Sequence, residues 1–388
     1  MGRRKVSAAD AEVLRGLRHA ASVGPDQAMA DWLATGLAGD PTHPSATGWT
    51  AHGRPATLAR ALATTLTSVA ADRFDAALPL DGAEVLGRRA QLSAVDPEGA
   101  REPDARLLRA ADGWWSLNLA RPSDVELVPA LVESQVDDTW TDLGRWAAML
   151  PAAVVVDRAT MLGLPSSRLG ETPVPAAPWR TRSVAARTSS TSRESLRVVN
   201  LGSLWAAPLA SRLLGRLGAE VVHVESSSRP DASRWGSPAF YAELRAGAEV
   251  RSIDVMSEPG RAELHALVSS ADVVVEASRP RALEGLGVSP RHVMPDGRAR
   301  TWLQITGHGP DQPQRVGFGD DAAVAGGLVI EGPDGTPRLY GDAVADPLTG
   351  LAGALAVAAN HDQQRQTLVQ ASLAWSAATA RAAGDVSC

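Results

Sequence analysis

One aspartate stands out as a group that could do chemistry. Residues 341–350 read GDAVADPLTG, in which Asp346 is followed by Pro347. Asp then Pro is a helix-opening pair, since Asp at the N-cap accepts backbone N–H bonds and Pro has a preset φ at the first helical position. Free N–H groups at a helix start also favour a carboxylate anion, and they can stabilise an oxyanion during acyl transfer. The pattern predicts a helix from Asp346 to about Ala359, and it leaves both a capping and a catalytic role open for Asp346.

Dinucleotide binding is only weakly indicated. Glu225 ends the second predicted strand about 20 residues after the first, which is the spacing of the acidic residue in a Rossmann unit. The first turn, residues 202–208 (GSLWAAP), has one glycine where the dinucleotide fingerprint has three. No Gly-x-Ser-x-Gly nucleophile elbow follows a strand. The sequence therefore disfavours NAD or FAD binding and serine-hydrolase chemistry.

Metal chemistry has little support in the sequence. His223, His308 and His361 are scattered, and none has a carboxylate or a second histidine at ligand spacing, so we expect structural or solvated roles for them. The single cysteine, Cys388, excludes an internal disulfide and a cysteine-based metal cluster. We predict no metal and no tightly bound cofactor.

The second half alternates short β-branched runs with helix-length amphipathic segments, the pattern of parallel βαβ units. We predict helices after the first strand, ending at Gly218, and after the turn at 258–260. Strands are predicted at 197–201, 220–225, 272–276 and 301–306. Parallel sheets bind ligands beyond the carboxyl ends of their strands, so loops 202–208, 225–236, 276–282 and 307–321 should border the site.

The first half has a different texture. Leu107 to Val132 reads as a strand-turn-strand-helix unit, with Asp112-Gly113 as the turn. Residues 175–195, rich in Pro, Arg, Thr and Ser, are typical of a linker. We therefore predict an α/β protein with a smaller mixed α/β region over 1–174, a linker over 175–195 and a parallel-sheet, Rossmann-like domain over 196–388.

Composition excludes some partners. The net charge is −6 and the arginines are dispersed, so the basic stripe of a nucleic-acid binder is missing. Hydrophobic residues make up 44% of the chain, but no apolar run approaches the roughly 20 residues of a membrane-spanning helix. The N-terminal segment lacks the apolar core of a secretion signal. We expect no nucleic-acid or membrane partner and a cytoplasmic location.

The second half resembles the class III CoA-transferase family, which includes formyl-CoA and carnitine CoA-transferases and the α-methylacyl-CoA racemases. The resemblance runs from about Arg197 to Ala374. It rests on VVNL (198–201), LGAEVVHVE (217–225), ADVVVE (271–276), RP (279–280), LGV (286–288), ITGHG (305–309) and residues 342–350.

The resemblance implies an activity and a nucleophile. The family's nucleophile is the Asp that precedes Thr-Gly, and by position this is Asp346. It would attack an acyl-CoA to give a mixed anhydride and CoA thiolate, which then forms an aspartyl-CoA thioester. A second carboxylic acid would collect the CoA. The implied substrates are an acyl-CoA and a small carboxylic acid, and the implied assembly is a homodimer.

The resemblance also implies binding residues. Leu204 and Trp205 in the first turn, Glu225, Glu276 and Arg279 lie in segments that look like the family's coenzyme A contacts, and a guanidinium such as that of Arg279 suits a phosphate. Gly307 and Asp320 would line the same pocket. Asp320 is equally well explained as the N-cap of a helix from residue 322.

Three departures from the family pattern keep alternatives open. Ala248 replaces a common basic residue near the nucleotide. The unit at 107–132 resembles the family's small domain but precedes the part it usually follows, so the order of the two parts looks rearranged. Racemases of this fold carry His before Asp in the segment at 317–321, where this chain has Gly319, and therefore one proton-transfer group is missing. A CoA-transferase is the main hypothesis, with a non-catalytic CoA-binding or partner-subunit relative and an α-methylacyl-CoA racemase as alternatives.

Overall fold

The computed structural model describes residues 8–37, 50–93, 104–186, 195–296, 298, 300–361 and 365–383. Cys388 and residues 187–194 of the predicted linker lie outside these ranges. The strands of the described residues are β1 Thr50–His52, β2 Ala105–Arg109, β3 Trp114–Asn118, β4 Ser166–Arg168, β5 Trp179–Ala186, β6 Arg197–Asn200, β7 Glu220–Ser226, β8 Glu249–Ile253, β9 Val273–Glu276, β10 Arg300–Thr306, β11 Val329–Glu331, β12 Pro337–Leu339 and β13 Arg365–Ser372.

Helices connect and cover these strands. Their bounds are α1 Ala8–Ala21, α2 Pro25–Leu33, α3 Pro55–Phe74, α4 Gly82–Ser93, α5 Pro122–Glu126, α6 Val128–Val132, α7 Thr139–Ala147, α8 Ala152–Met161, α9 Ala206–Arg216, α10 Ser233–Gly236, α11 Pro238–Leu244, α12 Glu258–Ser270, α13 Pro280–Gly285, α14 Pro290–Val293, α15 Gly319–Gly326, α16 Ala345–Asn360 and α17 Leu373–Ala382. No helix in the described part of the chain combines the length and the apolar character needed to cross a bilayer.

A seven-stranded sheet forms the centre of the fold, in the order β5-β13-β10-β9-β6-β7-β8. Neighbouring strands from β13 to β8 pair in parallel, whereas β5 pairs antiparallel with β13. The prediction of a parallel α/β sheet is confirmed, and its four predicted strands are β6, β7, β9 and β10. Strand β9 is buried along its whole length, which explains its uninterrupted apolar sequence.

The sheet is covered on both faces. On one face α9 and α16 pack in a core that also holds Leu58 and Leu62 of α3, so the first part of the chain contributes directly to it. On the other face α12 packs against β6, β9 and β10 with Leu264 and Val268 buried. Strand β1, from the first part of the chain, also pairs with β11 from the second part.

Residues 104–168 form a separate small unit. Strands β2, β3 and β4 make an antiparallel sheet, and helices α6, α7 and α8 enclose a core that contains Trp115, Leu143 and Val155. The predicted strand-turn-strand-helix unit therefore exists. The predicted first domain, 1–174, is distributed over two cores in the structure, because α1 to α4 pack with the large sheet. The division into domains stays a prediction.

Part of the predicted linker is a strand. Residues 179–186 form β5 at the edge of the central sheet, and Trp179 is buried there. The linker assignment is corrected for these residues. Pairing with β13 supplies partners for the backbone groups of a segment whose sequence has little apolar periodicity.

Candidate functional site

Asp346 is the second residue of α16, so the helix begins two positions earlier than its predicted N-cap role requires. The helix begins at Ala345, and the capping residue Val344 already has helical φ and ψ angles (−55° and −25°). The N-cap prediction for Asp346 is therefore wrong. Ala343 in the left-handed region (φ 46°) turns the chain ahead of the helix, so the helical geometry starts early. Asp346 is thus a first-turn residue whose side chain is free for another role.

The carboxyl of Asp346 lies near the start of a second helix. The backbone N–H of Ala206, the first residue of α9, is close enough to favour the anion of Asp346 and so acts to lower its pKa. This approach depends on Gly350, one turn along α16: a Cβ there would lie 2.8 Å from Leu209 Cδ2 and 2.9 Å from the Ala206 carbonyl oxygen. The glycine of the Thr-Gly that follows Asp346 is therefore explained by packing, because it lets α9 lie against α16. The carboxylate faces the positive ends of two helices.

Burial dominates the protonation of Asp346. It raises the pKa of this carboxyl to about 7, while the attraction of Arg89 and the Ala206 N–H act to lower it and the charges of Asp342 and Asp321 act to raise it. A carboxyl with a pKa near the working pH is a better nucleophile than an ordinary aspartate and is still ionised in a large fraction of molecules.

Asp320, which follows the Gly319 that lies against Asp346, is a second carboxyl with a perturbed pKa. Its Oδ1 accepts the N–H of Ala343 at 2.8 Å. Burial and the charge of Asp342 raise the pKa of Asp320 to about 7. The Ala343 N–H and the charge of Arg89 act to lower this pKa. The alternative prediction, an N-cap at Asp320, is wrong because α15 begins at Gly319. Instead Asp321 caps this helix by accepting the N–H of Phe318 at 2.7 Å.

A glycine-lined loop joins the end of β10 to this carboxyl pair. A Cβ on Gly307 would lie 2.8 Å from the Cα of Gly317, and one on Gly319 would lie 2.3 Å from Oδ2 of Asp346. Loop 317–319 is therefore held between the end of β10 and Asp346. His308 is buried in the same region, with its Nε2 3.7 Å from Oδ2 of Asp321. The predicted pocket residues Gly307 and Asp320 thus lie on either side of one loop that contacts Asp346.

The first-turn loop, 201–205, is tightly fixed. Asn200 holds Gly202 through both its N–H and its carbonyl. Leu204 has a left-handed φ of 65°, and its N–H donates to Asp231. Trp205 is buried edge-on against Phe240, with centroids 4.9 Å apart, and immediately precedes Ala206. The predicted residues Leu204 and Trp205 therefore lie in the loop that leads to Ala206, whose N–H is near Asp346.

Glu225 is occupied by protein partners. It accepts hydrogen bonds from Tyr241 Oη (2.6 Å) and Arg234 Nε (2.9 Å), and Arg245 lies 3.5 Å away. Burial alone would raise the pKa of Glu225, but the hydrogen bonds from Arg234, Tyr241 and the Asp231 N–H outweigh it, and the pKa is lowered. Glu225 thus fixes the loop after β7, and a direct ligand contact would have to displace these partners.

Glu276 is buried at the carboxyl end of β9. Trp302 Nε1 and Gln304 Nε2 donate to its Oε1 at 3.2 and 3.0 Å. Its Oε2 has no hydrogen-bond partner among the described residues. Burial raises the pKa of Glu276 to about 7. This side chain is directed into the sheet, and it is not exposed to solvent.

Arg279 differs from both glutamates. It precedes α13, is half-buried, and makes no hydrogen bond or ion pair within the part of the chain that the structure describes. Burial and the charges of Arg281, Arg121 and Arg229 lower the pKa of Arg279. A cluster of positive charge of this kind favours the binding of an anion, although Arg121 is itself paired with Asp124.

Two features of the site escaped the sequence analysis. Arg89 of α4 lies 3.3 Å from Asp342, and its guanidinium is over the ring of Trp205 at 5.6 Å. The N–H of Ala206 is a backbone group that no residue pattern marks. For Arg89, the nearest signal is the pair of glycines in α4: a Cβ on Gly82 or Gly87 would collide with the backbone of Ala59 or Thr35. Glycines at such positions indicate a helix packed closely against its neighbours.

The remaining predicted positions have structural surroundings. His223 is buried against Asn200, and burial lowers its pKa to about 4. His361 ends α16 and contacts Thr301. Ala248 precedes β8 and packs against the large core. The structural or solvated role of the histidines stays a prediction.

Known proteins resemble the part of the chain that carries Asp346. The family model described as CoA-transferase family III matches residues 194–381. A succinyl-CoA–D-citramalate CoA-transferase from Chloroflexus aurantiacus is 33% identical over 186 residues, which are 44% of this chain and 46% of that protein. The human succinyl-CoA:glutarate CoA-transferase is 30% identical over 185 residues, 45% of this chain and 42% of that protein. The chain thus spans under half the length of these curated relatives.

A solved structure is similar to part of this chain. The crystal structure of a CAIB/BAIF family protein from Brucella suis aligns with a TM-score of 0.43 at 27% identity, covering 49% of this chain and 55% of that chain. The matched residues of the family model include Asp346, Asp320 and Arg279. They do not include α1 to α4 or the unit at 104–168.

Proposed function

We propose, from the match of residues 194–381 to the family model described as CoA-transferase family III, that this chain moves coenzyme A from an acyl-CoA to a carboxylic acid with Asp346 as the nucleophile. The observation that carries the proposal is the placement of the Asp346 carboxylate against the N–H of Ala206 at the start of α9. A carboxylate held there is oriented for attack and has a hydrogen-bond donor ready for the oxygen that becomes negative.

The proposed reaction is a series of acyl transfers through Asp346. An oxygen of the Asp346 carboxylate attacks the thioester carbonyl, the C–S bond breaks, and CoA leaves as thiolate from a mixed anhydride. The thiolate attacks the aspartyl carbonyl, the first carboxylate leaves, and an aspartyl-CoA thioester remains. The acceptor carboxylate then repeats both steps in reverse. The N–H of Ala206 can donate to the aspartyl oxygen when each tetrahedral intermediate forms on the aspartyl carbon, because negative charge develops on that oxygen.

Coenzyme A binding involves the carboxyl ends of the central strands. Arg279, with Arg281, Arg121 and Arg229 nearby, suits the phosphates of coenzyme A. Leu204 and Trp205 lie in the loop that leads into α9 and would face the pantetheine end. A homodimer and a cytoplasmic location complete the proposal.

The intermediate gives a direct test. The protein is incubated with a panel of acyl-CoAs that includes succinyl-CoA, the donor in the names of the relatives, and is then treated with hydroxylamine. Peptide mass spectrometry should find the hydroxamate on Asp346. Asp346→Asn should lose both label and transfer, whereas Asp334→Asn, a change at an exposed turn, should keep both. Full transfer by the Asp346→Asn variant would refute the assignment.

A non-catalytic relative is the second candidate, and Ala248 is the observation that favours it. Calorimetry with coenzyme A separates the two functions. Binding without turnover over a broad panel of donors and acids would support the non-catalytic function.

A further inference from the structure

Arg89 approaches the carboxyl pair from outside the residues that match the family. It belongs to α4, and its side chain is 40% exposed and lies 3.3 Å from Asp342. The same guanidinium stacks over Trp205 at 5.6 Å. Trp205 and Ala206 are consecutive, and the backbone N–H of Ala206 lies near the Asp346 carboxyl and favours its anion. Arg89 and Asp346 therefore both lie at the start of α9.

Close packing determines where α4 carries this charge. A Cβ on Gly82 would lie 2.3 Å from the Ala59 carbonyl carbon, and one on Gly87 would lie 1.9 Å from the Thr35 carbonyl oxygen. Arg88, the residue before Arg89, faces away from the site, and its Nε donates to Glu243 of α11 at 2.7 Å. The two neighbouring arginines thus have separate tasks, and only Arg89 faces the site.

The charges around Asp346 are otherwise acidic. Helix α15 contributes Asp320 and Asp321, and the turn before α16 contributes Asp342. Helix α9 contributes a backbone N–H. Arg73 of α3, which also packs on α16, binds carbonyl groups at the opposite end of that helix. Arg89 is the cation that acts on both Asp346 and Asp320 within the described residues.

We propose that Arg89 is a positioning residue for the nucleophile: from α4 it supplies the positive charge that keeps the Asp346 carboxylate ionised among its acidic neighbours. The inference deepens the proposed function and rests on it for its catalytic meaning. It adds a requirement that the matched residues 194–381 do not contain, since the first part of the chain must complete the site.

The test compares three variants at different pH values. Arg89→Gln should move the midpoint of the pH dependence of acyl transfer to higher pH by about one unit or more, because an opposite charge nearby favours the ionised form. Arg89→Lys should restore much of the wild-type profile. Asp342→Asn removes a repelling carboxylate and leaves Arg89 in place, so its midpoint should move to lower pH. Arg88→Gln is the matched control and should keep the wild-type midpoint.

A second readout separates this inference from the proposed activity. A water-soluble carbodiimide modifies protonated carboxyls, and mass spectrometry of the Asp346 peptide gives the pH dependence of labelling without any acyl-CoA. The Arg89→Gln and Asp342→Asn variants should shift this dependence in opposite directions. Unshifted labelling in Arg89→Gln, with thermal unfolding like that of the wild type, would overturn the role of Arg89. If the wild type transfers no CoA while the labelling shifts occur, the proposed function fails and the role of Arg89 stands.

Discussion

Gly319 and Asp346 are so close that a side chain at position 319 would occupy the space of the carboxylate. A Cβ built on Gly319 would lie 2.3 Å from Oδ2 of Asp346 and 2.5 Å from the carbonyl oxygen of Ala343. Real Cβ atoms do not approach other heavy atoms so closely, and therefore either α15 or the start of α16 would have to shift. A histidine base at this position, which the racemase hypothesis needs, has no room while Asp346 stays in place.

Gly319→Ala should therefore impair catalysis far more than folding. We expect kcat to fall about 100-fold, since a displacement of about 1 Å at a reacting group has that effect, and unfolding stability to fall by about 1–3 kcal/mol from overpacking. Steady-state kinetics and thermal unfolding measure the two effects. The control is Gly144→Ala in α7, where a Cβ meets open space. Unchanged kcat in Gly319→Ala would contradict the geometry described above.

The reaction should depend on pH through Asp346. The pKa of this carboxyl is raised to about 7 by burial, and only its anion can attack a thioester. We expect kcat/KM for the acyl-CoA to rise about tenfold per pH unit below pH 7 and to level off above it. A rate profile that is flat between pH 5 and pH 8 would argue against Asp346 as the rate-determining nucleophile.

Glu276→Gln should stabilise the protein at alkaline pH. The pKa of Glu276 is raised from its ordinary value of 4.5 to about 7 in the folded chain. Stability from its protonated form is therefore fully present below pH 4.5 and is lost as the pH rises through about 7. Glutamine stays neutral and keeps an oxygen for Trp302 and Gln304. We expect a gain of about 1–3 kcal/mol at pH 8 and little change at pH 5.

Thermal unfolding at both pH values checks the Glu276 prediction. Glu126→Gln, at an exposed position of α5, is the control and should have the same small effect at each pH. An equal effect of Glu276→Gln at pH 5 and pH 8 would show that its ionisation does not limit stability.

Arg279→Gln should weaken coenzyme A binding. Hydrogen bonds to a charged group contribute about 1.5–3 kcal/mol, so we expect the Kd to rise about 10- to 100-fold and its dependence on salt to decrease. Isothermal titration calorimetry at two salt concentrations measures both quantities. Arg291→Gln removes an exposed charge that pairs with Glu284 and should leave the Kd unchanged. An unaltered affinity in Arg279→Gln would remove Arg279 from the binding site.

The sequence predicts the sheet well because its strands are short, apolar and separated by helices of matching length. Strand β9 and helix α9 follow directly from residue spacing. Strand β5 does not, because its charged and polar residues become a strand only by pairing with the edge of β13. The strand conformation of these residues depends on the partner strand, so the local sequence does not predict it.

The candidate site was predictable only in part for a similar reason. Asp346 is found from its motif, and Gly350 in that motif has a clear packing role. The N–H of Ala206 belongs to the backbone, and Arg89 reaches the site from a helix far away in sequence. Both contacts arise from tertiary packing, which no local spacing encodes. The exact start of α16 was also missed, since Ala343 turns the chain with a left-handed φ that alanine rarely adopts.

The pairing of β1 with β11 has a consequence for biosynthesis. Thr50 and Glu331 are neighbours in one sheet although the ribosome joins them to the chain far apart in time. Helix α3 must likewise wait for α16 before its apolar residues are covered. The unit at 104–168 can fold while translation continues, because its core is internal. We therefore expect helices α1 to α4 to complete their packing only after α16 has been synthesised, and the surroundings of Asp346 to assemble only then.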